Sequence, residues 1–485
     1  MDAPRKTYRP WDPDSYRQQA HSPHSQLPQG DLVFFLLDVV GQLDLGAVYA
    51  PYEDQLKGAP PFDPRMMTCL WLYSYSVGVF SSRKIATACQ RNLAFLAIVG
   101  LDRPDFRTIS DFRKLHLDAL ADLFNQVLKL AHEAGLVQWG AWATDGSKFP
   151  GNASRHKAMS YGYMNKEEER LKAEIAELLK AQQQTDEAED AALGSRRGDE
   201  MPDELAFREQ RLAKIQEAKK RLEEQARAEA QRQRQQWQEE EAERLNEGKK
   251  PRQPKTFSET PDDKAQTNFT DPETKIMPQA NKSFEYSGNA QAVVDDACQI
   301  IVAAFVVMAS NDKQQAVPMA EQALANLEAA GIERLRDEQG KAAKIISLED
   351  SGYFSEKAVS GLEALGLDPY MATERQKHHA QATVPAPGQV ALAAAVEAEL
   401  QTGVSAREES AKEKMRAKLQ TKKGRAVYGL RKGVVEPVFG QIKGARGFRR
   451  FSLRGLGKIR GEWRLVCLTH NLLKIWRYHY VPSMN

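Results

Sequence analysis

Cysteine is scarce in this chain. Only Cys69, Cys89, Cys298 and Cys467 occur among 485 residues, and no two form a CxxC pair. That excludes a disulfide scaffold and a zinc ribbon and suits the reducing cytoplasm. Long apolar runs are lacking too. None approaches the roughly 18 residues that span a bilayer, so a membrane protein is excluded. The Pro-rich stretch after Met1 holds no apolar core, and no secretory signal is expected. Net charge is almost absent, at +2. What is present is 41% hydrophobic and 28% charged residues, a globular composition with length for two or three domains.

The small net charge hides an uneven spread. Between Ala406 and Arg460 stand 17 Lys or Arg against 4 Glu and no Asp. Such an excess is the footprint of a phosphate-backbone binder, or else a solvated basic tail. Tyr428, Val434, Val435, Phe439, Ile442, Phe448 and Phe451 interleave with the charges, so the segment is expected to fold.

Residues 1–30 are rich in Pro, Gln, Ser and His and read as a flexible arm. Residues 31–135 read as all-helical. Phe34, Leu37, Val40 and Leu43 recur at helical spacing, and Asp63-Pro64 supplies an N-cap and a first-turn proline. After Pro104, Thr108 or Ser110 is expected to cap a helix over Asp111–His132, with Phe112, Leu115, Ala119, Leu123 and Val127 inward. Arg107, Arg113, Lys114 and His116 on this helix suggest a helix-turn-helix-like DNA reader, with a plain helical bundle as the alternative.

Trp139–Thr144 reads as a strand delivering Asp145 at its carboxyl end. Residues 165–255 then turn into a charged helical insertion. Leu205, Leu212, Lys219 and Ala226 are spaced by seven, as are Ile215, Leu222 and Glu229. This thin coiled-coil seam suggests an antiparallel helical hairpin around a Gly-Ser-Arg-Arg-Gly turn at 194–198, or a single polar helix. Further on, Asn289–Val294 and Gln299–Met308 read as a hairpin, and Asp312 as the start of a helix. Lys344–Leu348 reads as a buried strand, and 380–407 as a linker-like insertion. Residues 408–445 and 455–480 read as helical. The order suits a mixed α/β layer with a central sheet.

Three carboxylates stand out by placement: Asp145 and Asp350 at strand ends and Glu436 in the basic segment. Strand ends converge at one edge of an α/β sheet. Gathered there, three carboxylates suit two Mg²⁺ or Mn²⁺ ions, which favour oxygen ligands and stabilise both oxygens of an in-line phosphoryl transfer. Each also has a plainer reading: Asp145-Gly146 as a turn, Glu349 instead of Asp350 facing the site, and Glu436 as an ion-pair partner of Lys432.

Several strings resemble bacterial insertion-sequence transposases of the DDE superfamily. Pro104–Arg113 resembles the signature of their N-terminal helical domain, and Thr144–Lys148 the block around the first catalytic Asp. Thr270–Glu273 and Gly288–Asp295 resemble the run into the hairpin. Asp350–Phe354 resembles the second-Asp block, and Tyr428 through Glu436 to Lys443 the Tyr–Arg–Glu–Lys signature. Arg454-Gly455 and His470–Lys474 resemble the C-terminal tail.

The resemblance implies an RNase H-like catalytic domain over 136–164 and 265–480, with a mixed sheet flanked by helices. It implies a DNA-binding role for 31–135. Asp145, Asp350 and Glu436 would be the catalytic, metal-binding triad for two Mg²⁺ or Mn²⁺ ions. Tyr428, Arg431, Lys432, Lys443, Arg449, Arg450, Arg107, Arg113 and Lys114 would contact DNA. The partners implied are double-stranded DNA, as element ends and target, and a second copy of the chain on DNA, with no membrane and no small-molecule substrate. A nuclease without strand transfer, or a non-catalytic DNA-binding or coiled-coil relative, stands as the rival.

One departure concerns spacing. Four residues separate Arg431 from Glu436 where the signature has three. On an ideal helix this turns Arg431 about 140° from Glu436, while Lys432 lies about 40° away. Either Lys432 takes the arginine's place, or the helix is irregular, as Pro437 suggests. Glu436 to Lys443 keeps the gap of six.

Overall fold

The computed structural model describes residues 8–12, 22–53, 59–193, 203–246, 248, 250–279, 281–334, 336, 340, 342–374 and 410–479. The 194–198 turn, the 380–407 linker and much of the arm lie outside the described residues. The chain forms two compact units, residues 1–151 with 287–485, and residues 152–286.

The first unit opens with helices α1 (Leu32–Gln42), α2 (Gly46–Glu53), α3 (Pro64–Ser76), α4 (Ser82–Arg91), α5 (Leu93–Val99) and α6 (Phe106–Glu133). Asp63 caps α3 as expected, accepting from Arg65 N at 2.7 Å, with Pro64 at the first helical position. Helix α6 starts earlier than predicted. Asp105 caps it, accepting from Arg107 N at 2.7 Å and Thr108 N at 2.9 Å. Its inward face includes Ile109, Phe112, Leu120, Leu123, Phe124 and Val127, and Leu115 is 58% exposed. The described parts of the arm are packed: Trp11 Nε1 donates to Ile98 O at 2.9 Å, and Ser22 caps a single turn at Pro23–Gln26. Among the described residues no single helix is long and apolar enough to cross a membrane. The bent pair α1 and α2 is apolar, but much of α1 lies in the core.

The sheet follows. Strand β1 (Ala141–Pro150) pairs antiparallel with β2 (Phe284–Asp295), which pairs antiparallel with β3 (Ile301–Val307). On its other side β1 runs parallel to β4 (Ile345–Glu349), and β4 parallel to β5 (Leu367–Met371). The order β3-β2-β1-β4-β5 is a mixed sheet with β1 in the middle, the expected RNase H-like arrangement. Helices α9 (Ala316–Ala329) and α10 (Glu356–Ala364) supply the crossovers on either side of β4. The described residues close with a run of short helical segments and one long helix, α15 (Leu456–His479). Helix α15 buries Trp463, Leu465, Val466, Leu468 and Leu472 against α3, α6 and β3. The N-terminal helices and the sheet thus share one continuous core.

The second unit is an antiparallel pair of helices, α7 (Tyr161–Leu193) and α8 (Asp203–Asn246), with short strands beside it. Met164, Leu171, Ile215, Ala218 and Leu222 form its core. Lys219, at a predicted seam position, pairs with Glu168 at 2.9 Å, and Arg208 with Glu174 at 3.0 Å. Partner numbers fall along α8 as they rise along α7, which gives the direction.

At the end of β2, Asp295 is 3% exposed and accepts from Ala297 N at 3.0 Å and Gln138 N at 3.3 Å. Burial and the neighbouring Asp296 raise its carboxyl to about 7. A raised folded value means that the proton binds more tightly in the native state. The associated stability is present below about pH 4 and is lost as pH rises through about 7. Asp295→Asn is expected to flatten this slope in thermal unfolding between pH 4 and 8 and to raise the melting temperature at pH 8. An unchanged slope would show Asp295 ionised throughout.

Candidate active site on the central strand

Asp145 does not sit at the end of its strand. Strand β1 continues through it to Pro150, and Asp145 pairs with Ala292 of β2. Gly146 follows because its other face is crowded: a Cβ there would lie 2.2 Å from Gln291 Nε2 and 2.8 Å from Asp312 Oδ1. Alternation therefore sends Asp145 to the opposite face. Burial raises the Asp145 carboxyl to about 6 against the pull of Arg431 and the Gly146 N–H, and Asp350 and Asp312 push it further up.

Asp350 follows β4 directly and is half-buried, and its Oδ1 accepts from Gly352 N at 2.6 Å. Glu349 is fully buried, takes the Ser347 hydroxyl, and is raised by burial to about 7.

Glu436 stands at a break between short helices. The sequence runs α11 (Ala411–Gln420), α12 (Lys422–Gly429), α13 (Arg431–Val434), α14 (Glu436–Gly440) and one π-helical turn at Gln441–Ala445. Pro437 in the first turn of α14 disfavours a continuous helix through Glu436. Along this irregular path Arg431 turns towards Glu436. Arg431 is 9% exposed, and its guanidinium lies 3.6 Å from Asp145 Oδ2 and 3.5 Å from Glu436 Oε1. Arg431 Nη1 has no hydrogen-bond partner beyond this ion pairing. Lys432 points outward and is exposed.

The other members of the signature flank this group. Tyr428 is half-buried beside Arg431, its hydroxyl raised by burial and by Asp350. Lys443 donates to Ser147 Oγ at 2.5 Å and lies 4.4 Å over the Phe149 ring. Burial lowers its pKa while Asp145 holds it up. Arg449 and Arg450 are exposed beyond it, Arg449 Nε donating to Lys443 O at 3.0 Å.

The residues expected on α6 divide. Arg107 and Lys114 are exposed, Lys114 pairing with Asp111 at 2.9 Å. Arg113 is an interior residue instead. It is 7% exposed, donates to Tyr75 Oη at 3.0 Å and Ser452 Oγ at 3.1 Å, and stacks 4.7 Å over Trp71. Its counter-charge is the fully buried Glu462 at 3.9 Å, which also accepts from the Ser452 and Leu453 N–H groups. His116 is buried as well, lowered to about 4 by desolvation, against Phe112 and Tyr52. Both side chains lie in the interior rather than on the exposed face of α6.

Asp312, expected as a helix start, precedes α9 as a fixed carboxylate. Its Oδ1 accepts from Asn289 Nδ2 and Gln291 Nε2, both at 2.7 Å, and Gln291 in turn takes the Tyr353 hydroxyl. Asn289, Gln291 and Tyr353 all belong to the strings quoted above, so those strings tie the acidic loops to β2. Nothing local in the sequence marks Asp312, because its partners come from another strand.

By donor chemistry the acids suit a hard divalent cation. As they stand, no three His, Cys, Asp or Glu side chains among the described residues are arranged to hold an ion, and a guanidinium lies between two of the triad.

Two families match the chain. The one described as Transposase DDE domain matches residues 396–476, which include Glu436, and Transposase domain (DUF772) matches residues 21–115. Asp145 and Asp350 lie outside both segments. No curated protein and no solved structure matches significantly. Together the two matches support an insertion-sequence transposase of the DDE family, a class that typically uses divalent metal ions.

Proposed function

We propose that this chain cuts DNA at the ends of its element and transfers the freed ends into target DNA, with Asp145, Asp350 and Glu436 as the catalytic triad. The observation that carries the reading is the meeting of Asp145 and Glu436 on one buried guanidinium, with Asp350 close enough to raise Asp145. Asp145 on the central strand and Glu436 from a distant helix thus share one guanidinium.

In the cleavage step a water oxygen bonds to the scissile phosphorus, the bond to the 3′ oxygen breaks, and the 3′ end leaves as a hydroxyl. That hydroxyl then attacks a target phosphodiester, and the target's own 3′ oxygen leaves. Asp145, Asp350 and Glu436 would hold two Mg²⁺ or Mn²⁺ ions, which would supply Lewis-acid chemistry to the phosphoryl transfer. Arg431 offsets part of the charge of Asp145 and Glu436, which lessens the repulsion among three acids in a half-buried place. Tyr428 and Lys443 border the reacting strand. Lys432, Arg449 and Arg450 hold the DNA backbone, and Arg107 and Lys114 add to the surface. Two element ends handled together call for a homodimer on DNA, acting in the cytoplasm that the four free cysteines suit.

The exposed arginines give a direct test. Arg449→Ala and Arg450→Ala are each expected to weaken binding to all duplexes alike. Each should also lower the slope of log affinity against log salt by about 0.9. An unchanged slope in both would remove them from the DNA surface. The reaction itself is tested by incubating the protein with the element's own ends, with and without Mg²⁺, and scoring cut and joined strands.

A further inference from the structure

Glu436 stands on a backbone that cannot hold itself. In a regular helix the Gly433 carbonyl would accept from the N–H four residues on, but that residue is Pro437, which has none. The missing donor comes from the sheet. Gln299, in the turn between β2 and β3, donates its side-chain Nε2 to Gly433 O at 2.9 Å. Its Oε1 accepts from Gln441 Nε2 at 3.4 Å, beyond Glu436 on the other side. One amide thus clasps the chain before and after the kink.

Gln299 is held for this task. Its φ is +60°, a left-handed conformation that costs a non-glycine residue energy and persists only where its surroundings enforce it. Those surroundings come from α15. His470 Nε2 donates to Gln299 O at 3.0 Å, and Lys474 Nζ donates to Gln299 Oε1 at 2.8 Å. Asn471 holds the next strand by both ends, accepting from Ile301 N at 2.9 Å and donating to Ile301 O at 2.8 Å. The string His470–Lys474, which the reaction chemistry leaves unused, is thereby a brace for the turn.

We propose that Gln299 is a positioning residue for Glu436: its amide replaces the backbone N–H that Pro437 removes and fixes the kink at which Glu436 enters the site. The inference rests on the reading of Glu436 as a triad member. It also explains why a glutamine occupies a turn position that glycine would fill without strain.

The test is a double-mutant cycle. Gln299→Met keeps the side-chain length and removes the donor, and Pro437→Ala restores a backbone N–H at the kink. Gln299→Met is expected to raise the Mn²⁺ concentration for half-maximal strand cleavage about 10-fold or more, and to weaken Mn²⁺ binding to the DNA-free protein, followed by electron paramagnetic resonance, to a similar degree. Pro437→Ala in that background should restore both values, while Gln299→Met added to Pro437→Ala should do little. Gln299→Gly should show the same metal defect with an equal or higher melting temperature than Gln299→Met, because it relieves the strained φ. An unchanged metal midpoint in the Gln299 variants, or a defect that Pro437→Ala leaves in place, overturns the proposal. If Glu436→Gln cleaves like the wild type, the triad reading falls and this inference with it. If Glu436→Gln is inactive and Gln299→Met is normal, only this inference falls.

Discussion

Asp145→Asn, Asp350→Asn and Glu436→Gln are each expected to lower strand cleavage and joining by about 10³-fold or more while binding of element ends stays within a few-fold of wild type. The size follows from removing a group that acts only in the transition state, together with its charge. Each amide is nearly isosteric with the acid, and Arg431 retains one carboxylate partner when either Asp145 or Glu436 is changed. The fold should therefore survive, and gel-shift affinity and melting temperature check that it does. Double variants within the triad should be no worse than the singles, since groups acting as a unit are not additive. A single amide variant with wild-type joining in Mg²⁺ removes that residue from the triad.

Arg113→Met is expected to destabilise the first unit by about 3–5 kcal/mol, because it leaves the fully buried Glu462 without its counter-charge. Its DNA affinity, measured below the melting temperature, should match the wild type. Adding Glu462→Leu should recover much of the loss, since an apolar pair of similar volume replaces the charges without an unpaired ion. Near-normal stability together with a weakened grip on DNA would return Arg113 to the recognition surface.

The contrast shows where the sequence speaks and where it is silent. Local chemistry is legible: Asp63-Pro64 predicts the start of α3, the β-rich runs around Asp295 predict the hairpin, and the basic excess after Ala406 predicts a charged yet folded segment. Long-range chemistry is not. Arg113 looks like any outward arginine because its buried partner lies on the final helix. Thr108 and Ser110 lie inside the helix that Asp105 caps, so it begins before the expected Asp111, and Leu115 is exposed where an inward position is expected. Asp145 was expected at a strand end because Asp-Gly imitates a turn, whereas Gly146 is there to let Gln291 and Asp312 approach. For Arg431 an ideal helix points away from Glu436, and the irregular path between α13 and α14 brings them together. Asp312 and Gln299 carry no local signal because their partners are distant in the chain.

The most direct test of the account is a joining assay. Ends of the element carrying exposed 3′ hydroxyls are incubated with a supercoiled plasmid and the purified protein, with Mg²⁺ or with chelator. The account predicts covalently joined end–plasmid products in Mg²⁺ and none with chelator or with Asp145→Asn. Plasmid that is cut but never joined would mark a nuclease, and joined products that persist in chelator or in Asp145→Asn would contradict the triad.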